Sequence, residues 1–244
     1  MSKRFRKLAS LLLSSALILG MVGCSSSGDS GNGDASGDGD KTIAFIPPTM
    51  VSSFYEQTIS GAKSKAEELG YTISATAPQK EDDYEGLLKC VEDAITKGAK
   101  AIALCTTDDK TMAIAVEKAN AANIPVVLFN TLSEVEGTDV YSYVGYDQRK
   151  AGASVAEYLG TEHKDTQFKV GILEGLPGVF TENREGGFLD EVDKYSNIEV
   201  VAKQAANWER EKGMNVATNM YQANNKINMF YGLSDEMALG AAQA

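Results

Sequence analysis

Apolar residues are distributed along this chain in two ways. Residues 8–22 form one apolar run, preceded by Lys3, Arg4, Arg6 and Lys7 and closed by Gly23 and Cys24. Residues 25–40 are drawn only from Ser, Gly, Asp, Asn and Ala. From Lys41 onward short β-branched runs alternate with stretches of helical period. The basic start, short greasy stretch and small residue before a cut point predict an export signal over 1–23. A membrane span needs about 20 apolar residues, and this run is shorter.

In the second regime, 42–46, 71–76, 99–104 and 125–129 read as strands too uniformly apolar to keep a solvent face, which suits a buried parallel sheet. Between them Tyr55, Ile59, Ala62, Ala66 and Leu69 recur at helical spacing, as do Tyr84, Leu87, Leu88, Val91 and Ile95. Gly70 and Gly98 are placed to end these helices. Asp108 and Asp109 stand where a carboxylate caps a third helix over 111–122. A fifth strand is expected over 140–144, then a helix carrying Ala151, Val155, Tyr158 and Leu159 with Asp147 as its cap. Strand starts near Lys169, Ile198 and Ile227 repeat at 29 residues, the length of a βα unit. The pattern predicts two Rossmann-like, flavodoxin-like α/β lobes with parallel sheets: an N-terminal lobe over 41–145 and a C-terminal lobe over 146–244, with the crossing at 145–147. Ligands of such sheets bind beyond the carboxyl ends of strands, and two facing lobes make a cleft that closes.

Charge narrows the partners. The formal net charge is −11. Removing 1–23 takes away four basic and no acidic residues and leaves about −15, which argues against nucleic acid and anionic lipid. Cys90 falls in a helical pattern and Cys105 at a strand end, so both are expected as buried free thiols. No metal-ligand spacing occurs, and no metal or cofactor is expected. His163, the sole histidine, sits in a polar loop with no nucleophile placed beside it.

Several segments together resemble the ribose-type periplasmic sugar-binding proteins. They are Thr42-Ile43-Ala44-Phe45-Ile46 followed by Ser52-Ser53-Phe54-Tyr55, the run Ala121-Ala122-Asn123-Ile124-Pro125-Val126-Val127, then Gly175, Arg184, Gly187-Phe188 and Trp208, and finally Ser234-Asp235-Glu236-Met237-Ala238-Leu239-Gly240-Ala241. The resemblance spans 41–244 and implies the type I periplasmic-binding-protein fold. Met21-Val22-Gly23-Cys24 also resembles a bacterial lipobox, with Met21 in place of the usual Leu. It implies lipidation at Cys24, which holds the protein to the membrane through more than one acyl chain, with 24–40 as a flexible tether.

The family implies a non-enzymatic receptor, a monomer that takes a sugar or polyol and hands it to an ABC transporter permease. Ligand contacts carried over on matching positions are Ser52, Phe54 and Tyr55 after the first strand, Asn130, Arg184, Trp208 and Ser234. Asp108 and Asp235 are further candidates for which helix capping is the competing role, and Thr106 and Thr107 adjoin the first of them. Aromatic rings cover the C–H faces of a sugar, while amides and guanidinium groups pair its hydroxyls. Three positions depart from the ribose pattern: Phe129-Asn130 stands for an Asp-Arg pair, Ser234 for Asn, and Pro48 for a polar residue. Ribose itself is therefore a poor expectation.

The resemblance also implies about 80 further residues after the last helix, so the second lobe is expected to be incomplete, to lack an acidic and an amide ligand group, and to bind poorly alone. A sensor role beside a membrane kinase or chemoreceptor would use the same receptor. An exported enzyme would need a phosphate loop or nucleophile elbow, and neither Gly-x-Gly-x-x-Gly nor Gly-x-Ser-x-Gly occurs. A sugar-responsive repressor would carry a DNA-binding head where this chain has its export signal.

Overall fold

A computed structural model describes residues 41–244; the export signal, Cys24 and the tether lie outside the described residues. The elements run β1 (Thr42–Ile46), α1 (Ser53–Glu68), β2 (Thr72–Ala75), α2 (Tyr84–Thr96), β3 (Ala101–Leu104), α3 (Asp109–Ala121), β4 (Val126–Phe129) and β5 (Ser142–Val144). There follow α4 (Gln148–Glu162), β6 (Phe168–Glu174), α5 (Val179–Val192), β7 (Ile198–Ala205), α6 (Arg210–Ala223), β8 (Met229–Gly232) and α7 (Asp235–Ala241).

Helix boundaries follow the local chemistry. Gly70 and Gly98 both adopt φ +74° just past the ends of α1 and α2, a conformation in which a Cβ would be strained. Asp83, Asp108 and Asp147 cap α2, α3 and α4 by accepting from the backbone N–H groups of Gly86, Thr111 and Lys150. At α7 the cap is Ser234, whose Oγ accepts from Met237 N at 3.4 Å. Asp235, expected as that cap, is instead the first helical residue.

The first sheet is fully parallel in the order β2-β1-β3-β4-β5. Alternation sends Ala44, Ile46, Ile102, Leu104, Val126 and Leu128 to one face, where α2 and α3 supply Leu87, Val91, Met112 and Val116. Phe45, Cys105 and Phe129 face the other side and meet Tyr55 and Ile59 of α1. Helices on both faces explain why the central strands read as continuous apolar runs.

The second sheet, β7-β6-β8, is also parallel and repeats the β2-β1-β3 arrangement of the first. Its core includes Ile172, Leu173 and Phe188, with Phe188 stacked on Tyr231 at 4.4 Å between ring centroids. The α4 and α5 helices touch through glycines. A Cβ on Gly152 would lie 1.9 Å from Arg184 O, and one on Gly187 would lie 1.8 Å from Arg149 O. Only hydrogen at these positions lets the two backbones meet.

Three apolar assignments differ from the sequence reading. Leu69 is 62% exposed, because it falls at the end of α1 where the helix turns away. Tyr158 points outward toward His163, since the buried face of α4 runs through Gln148, Gly152, Ala156 and Leu159. Ile227 is buried but precedes its strand, which starts at Met229. There Asn228 uses its side chain, as well as its backbone N–H, to pair Lys169. Cys90 and Cys105 are free thiols, Cys105 fully buried and Cys90 partly so.

Candidate functional site

The chain passes from the first sheet to the second through residues 145–147, and segments that follow the strands of the two sheets converge on one cleft of about 920 Å³. This volume lies at the upper end of the usual ligand-site range. The segment after β1 contributes Thr49, Ser52, Phe54 and Tyr55, the β2 loop contributes Glu81, and the residue after β4 is Asn130. From the other side come Leu176, Phe180 and Arg184 beyond β6, Trp208 beyond β7, and Leu233, Ser234 and Asp235 beyond β8. A smaller cavity of about 390 Å³ lies between α2 and the β1–β2 strands and is lined mainly by Ala and Thr side chains with Cys90, Asp93 and Lys97.

Phe54 presents an aromatic face, 44% exposed, at the cleft. Tyr55 is 6% exposed and packs edge-on against both Phe54 and Phe129. It forms floor rather than wall, with its hydroxyl 3.7 Å from Cys105 Sγ. Burial raises the Tyr55 hydroxyl well above its ordinary pKa and pushes the Cys105 thiol up to about 12, and the nearby Asn130 amide opposes both shifts. Both groups are therefore neutral at physiological pH.

Asn130 follows β4 in the left-handed conformation, φ +60°, a region Asn tolerates better than other side chains. Its backbone carbonyl accepts from Gln148 Nε2 at 2.5 Å. Its Oδ1 is buried and finds no partner among the described residues. Trp208, at φ +68°, likewise buries an unpartnered Nε1. The indole rests on Gly175, where a Cβ would come within 2.0 Å of Trp208 Cζ2.

Arg184 projects from α5 into a fixed frame. Its Nε donates to Gln148 Oε1 at 2.6 Å, Nη1 to Leu233 O at 2.7 Å, and Nη2 to the Tyr146 hydroxyl at 2.9 Å. The guanidinium carbon also lies 5.4–5.8 Å from the ring centroids of Trp208, Phe180 and Tyr146, within cation–π range. Gln148 thus orients both Arg184 and Asn130, joining the two sides of the cleft through one buried amide.

At the rim, Ser53 Oγ donates to Glu236 Oε1 at 2.7 Å, and Arg210 Nε and Nη2 donate to the same carboxylate at 2.8 and 3.2 Å. Ser53 and Arg210 hold the Glu236 carboxyl below its ordinary pKa. Gly178 also meets the first lobe, its missing Cβ being 2.4 Å from Thr107 O. These contacts describe two lobes in apposition.

The structure brings Ser52, Phe54, Tyr55, Asn130, Arg184, Trp208, Ser234 and Asp235 to this one cleft. Asp108 does not line it and serves as the α3 cap, while Thr106 and Thr107 are buried beside it. The sequence reading missed Glu81, Tyr146, Gln148, Phe180 and Tyr231. Glu81 is hidden in the charged run Lys80-Glu81-Asp82-Asp83, which reads as a solvated loop. Gln148 follows a helix cap and carries no signal of its own.

Residues 43–244 match the model of the periplasmic binding protein domain. The chain belongs to that family. It is 30% identical over 233 residues to the ribose import binding protein of Haemophilus influenzae, covering 95% of this chain and 74% of the relative. It is 32% identical to the ribose import binding protein of Bacillus subtilis and 31% to the D-apiose import binding protein of Actinobacillus succinogenes. Each alignment covers 83% of this chain, but it spans only 65% and 64% of those relatives' lengths. Among solved structures, an Actinobacillus succinogenes solute-binding protein with bound D-allose superposes with TM-score 0.76 at 33% identity, covering 83% of this chain and 72% of its own. A galactofuranose binding protein gives 0.75 at 26% identity, with 83% and 70% covered. The periplasmic binding protein fold, expected from βα rhythm and motif resemblance, is the one observed. No helix among the described residues is long and apolar enough to cross a membrane, and no His/Cys/Asp/Glu group among them could hold a metal.

Proposed function

We propose that this chain is an extracytoplasmic solute-binding lipoprotein that captures a sugar or polyol between its lobes and delivers it to an ABC import permease. One observation carries the reading: a cleft walled by aromatic rings retains a buried acceptor, Asn130 Oδ1, and a buried donor, Trp208 Nε1, with no protein partner. Leaving such groups unpaired costs about 1–3 kcal/mol each. A hydroxyl, which both donates and accepts, can answer either one. In this reading Phe54 and Trp208 cover the sugar's C–H faces, Arg184 donates its remaining N–H groups, and Ser52 and Ser234 border the ligand. Tyr55 shapes the floor, and Asp235 lies at the margin.

Residues 1–23 serve as export signal, Cys24 carries the lipid, and 24–40 tether the lobes of 41–145 and 146–244 to the outer face of the cell membrane. The relatives named for ribose, allose, apiose and galactofuranose support a carbohydrate ligand, and capture proceeds because the ligand binds the closed state more tightly than the open one. No bond is made or broken. Thermal-shift screening of the chain against monosaccharides, polyols, amino acids and peptides tests this. A carbohydrate at 100 times its Kd is expected to add about 2.7 kcal/mol of stability, whereas a response confined to amino acids or peptides would overturn the assignment.

A further inference from the structure

The first-lobe wall of the cleft carries two acceptors that have no protein donor among the described residues, Asn130 Oδ1 and the Glu81 carboxylate. The Asn130 amide lies near the Tyr55 hydroxyl and Cys105 thiol, and its Oδ1 is a buried acceptor without a partner among the described residues. Beside this group, on the loop after β2, stands Glu81. It lines the same cleft, and its carboxylate has no hydrogen bond or ion pair among the described residues.

The surrounding charges do not complete Glu81. Arg184 faces it from α5 but gives N–H groups to Gln148, Leu233 O and Tyr146. Arg210 is bound to Glu236, and Lys212 to Glu209. Asp82 on its own loop and Glu209 before α6 add further negative charge, and Lys80 is exposed at the rim. Tyr55 and Cys105 beneath it are neutral. Burial, and then the like charges of Asp82 and Glu209, raise the Glu81 carboxyl to about 7 against the lowering pull of Arg184. Glu81 is half-buried, and its carboxylate is given no donor among the described residues.

We propose that Glu81 is a specificity-determining residue that, with Asn130, forms an acceptor pair for hydroxyl donors of a neutral sugar or polyol and excludes sugars bearing a carboxylate. This rests on the carbohydrate reading of the cleft given above. A neutral polyol can turn two O–H groups toward the pair. A uronate or aldonate would set its own charge against Glu81, Asp82 and Glu209 in a partly desolvated space, where like-charge juxtaposition costs several kcal/mol.

The test is titration calorimetry at pH 8 on the 244-residue chain and its Glu81→Gln variant. The probes are D-glucose with D-glucuronate, D-galactose with D-galacturonate, and D-ribose and D-allose with their aldonates. Within any pair whose neutral member binds, the acid is expected to bind at least about 30-fold more weakly to the unaltered chain, equivalent to about 2 kcal/mol. In Glu81→Gln that gap is expected to shrink to about threefold, with circular dichroism showing the variant folded. An acid that binds the unaltered chain within threefold of its neutral parent overturns the role of Glu81, as does a gap unchanged in the variant; the carbohydrate reading survives both results. Should the variant unfold, the comparison of neutral and acid on the unaltered chain decides by the same threshold. If none of these probes binds, the titration is repeated on the chain extended by the part of the Bacillus subtilis relative that lies beyond the alignment, which spans 65% of that relative; absence of binding there overturns the carbohydrate reading, and binding there without the gap between neutral and acid overturns the role of Glu81 alone.

Discussion

At the scale of single residues, the cleft depends on side chains whose freedom has been removed. Arg184 is fixed by three hydrogen bonds, Asn130 by the Gln148 amide that donates to its backbone carbonyl, and Trp208 by the bare backbone of Gly175 beneath it. Trp208 is partly buried and packs against both neighbouring apolar clusters, so Trp208→Ala is expected to weaken sugar binding about tenfold and to lower the Tm, while circular dichroism still shows a folded chain. Collapse of the fold instead would make Trp208 a packing residue. Glu81 gives a second expectation, this time for stability against pH. Its folded-state pKa is raised to about 7, so the native state holds a proton that the unfolded chain has already released between about pH 4.5 and 7. Above that window both states are ionised and the half-buried charge destabilises the fold. Glu81→Gln is therefore expected to raise the Tm at pH 8 and to leave it nearly unchanged at pH 4, as measured by calorimetry. Of these residues, Phe54, Asn130, Arg184 and Trp208 were legible because each follows a strand or sits in a recognisable segment. Glu81 and Gln148 were not, because burial is a tertiary property that a polar residue in a polar run does not announce.

At the scale of elements, the sequence reading located the strands of both sheets and the first four helices, because the central strands are covered on both faces and those helices end on glycine or begin on aspartate; α5 and α6 carry neither signal. It erred where periodicity alone chose the buried face. In α4 that face contains Gln148 and Gly152, neither of which scores as apolar, and the reason is the close crossing with α5. Gly152→Leu is expected to push the helices apart. The overpacking costs about 1–3 kcal/mol, read as a lowered urea midpoint, and also weakens sugar binding because the displaced backbone carries Arg184. A loss of stability with affinity intact would show that Arg184 can be repositioned independently of the helix crossing.

At the scale of the whole molecule, the two lobes meet through an apolar seam, in which Phe180, Val179 and Trp208 share a cluster with Tyr55, Cys105 and Phe129, and through polar and backbone contacts that include Gln148 between Asn130 and Arg184, Gly178 against Thr107, and Glu236 between Ser53 and Arg210. The last is a polar clasp at the rim, where exposed charge pairs contribute only about 0–1 kcal/mol. Such a clasp biases closure without locking it. Ser53→Ala is expected to shift the sugar-free chain toward an open form, seen as a larger radius of gyration in small-angle scattering, with the compact value restored by saturating sugar; an unchanged radius would assign closure to other contacts. The Glu236 carboxyl is held below its ordinary pKa, so the clasp is intact at neutral pH and is lost as pH falls through that lowered value. The sequence by itself determined the parallel α/β character, the two-lobed plan and the family, because hydrophobic period, capping residues and strand-end motifs are local and are written in consecutive residues. Only the tertiary structure decided which polar groups are buried without partners, how Gln148 couples the lobes, and that Glu81 stands at the cleft wall with no partner among the described residues. Those properties arise where segments distant in sequence converge and exclude water.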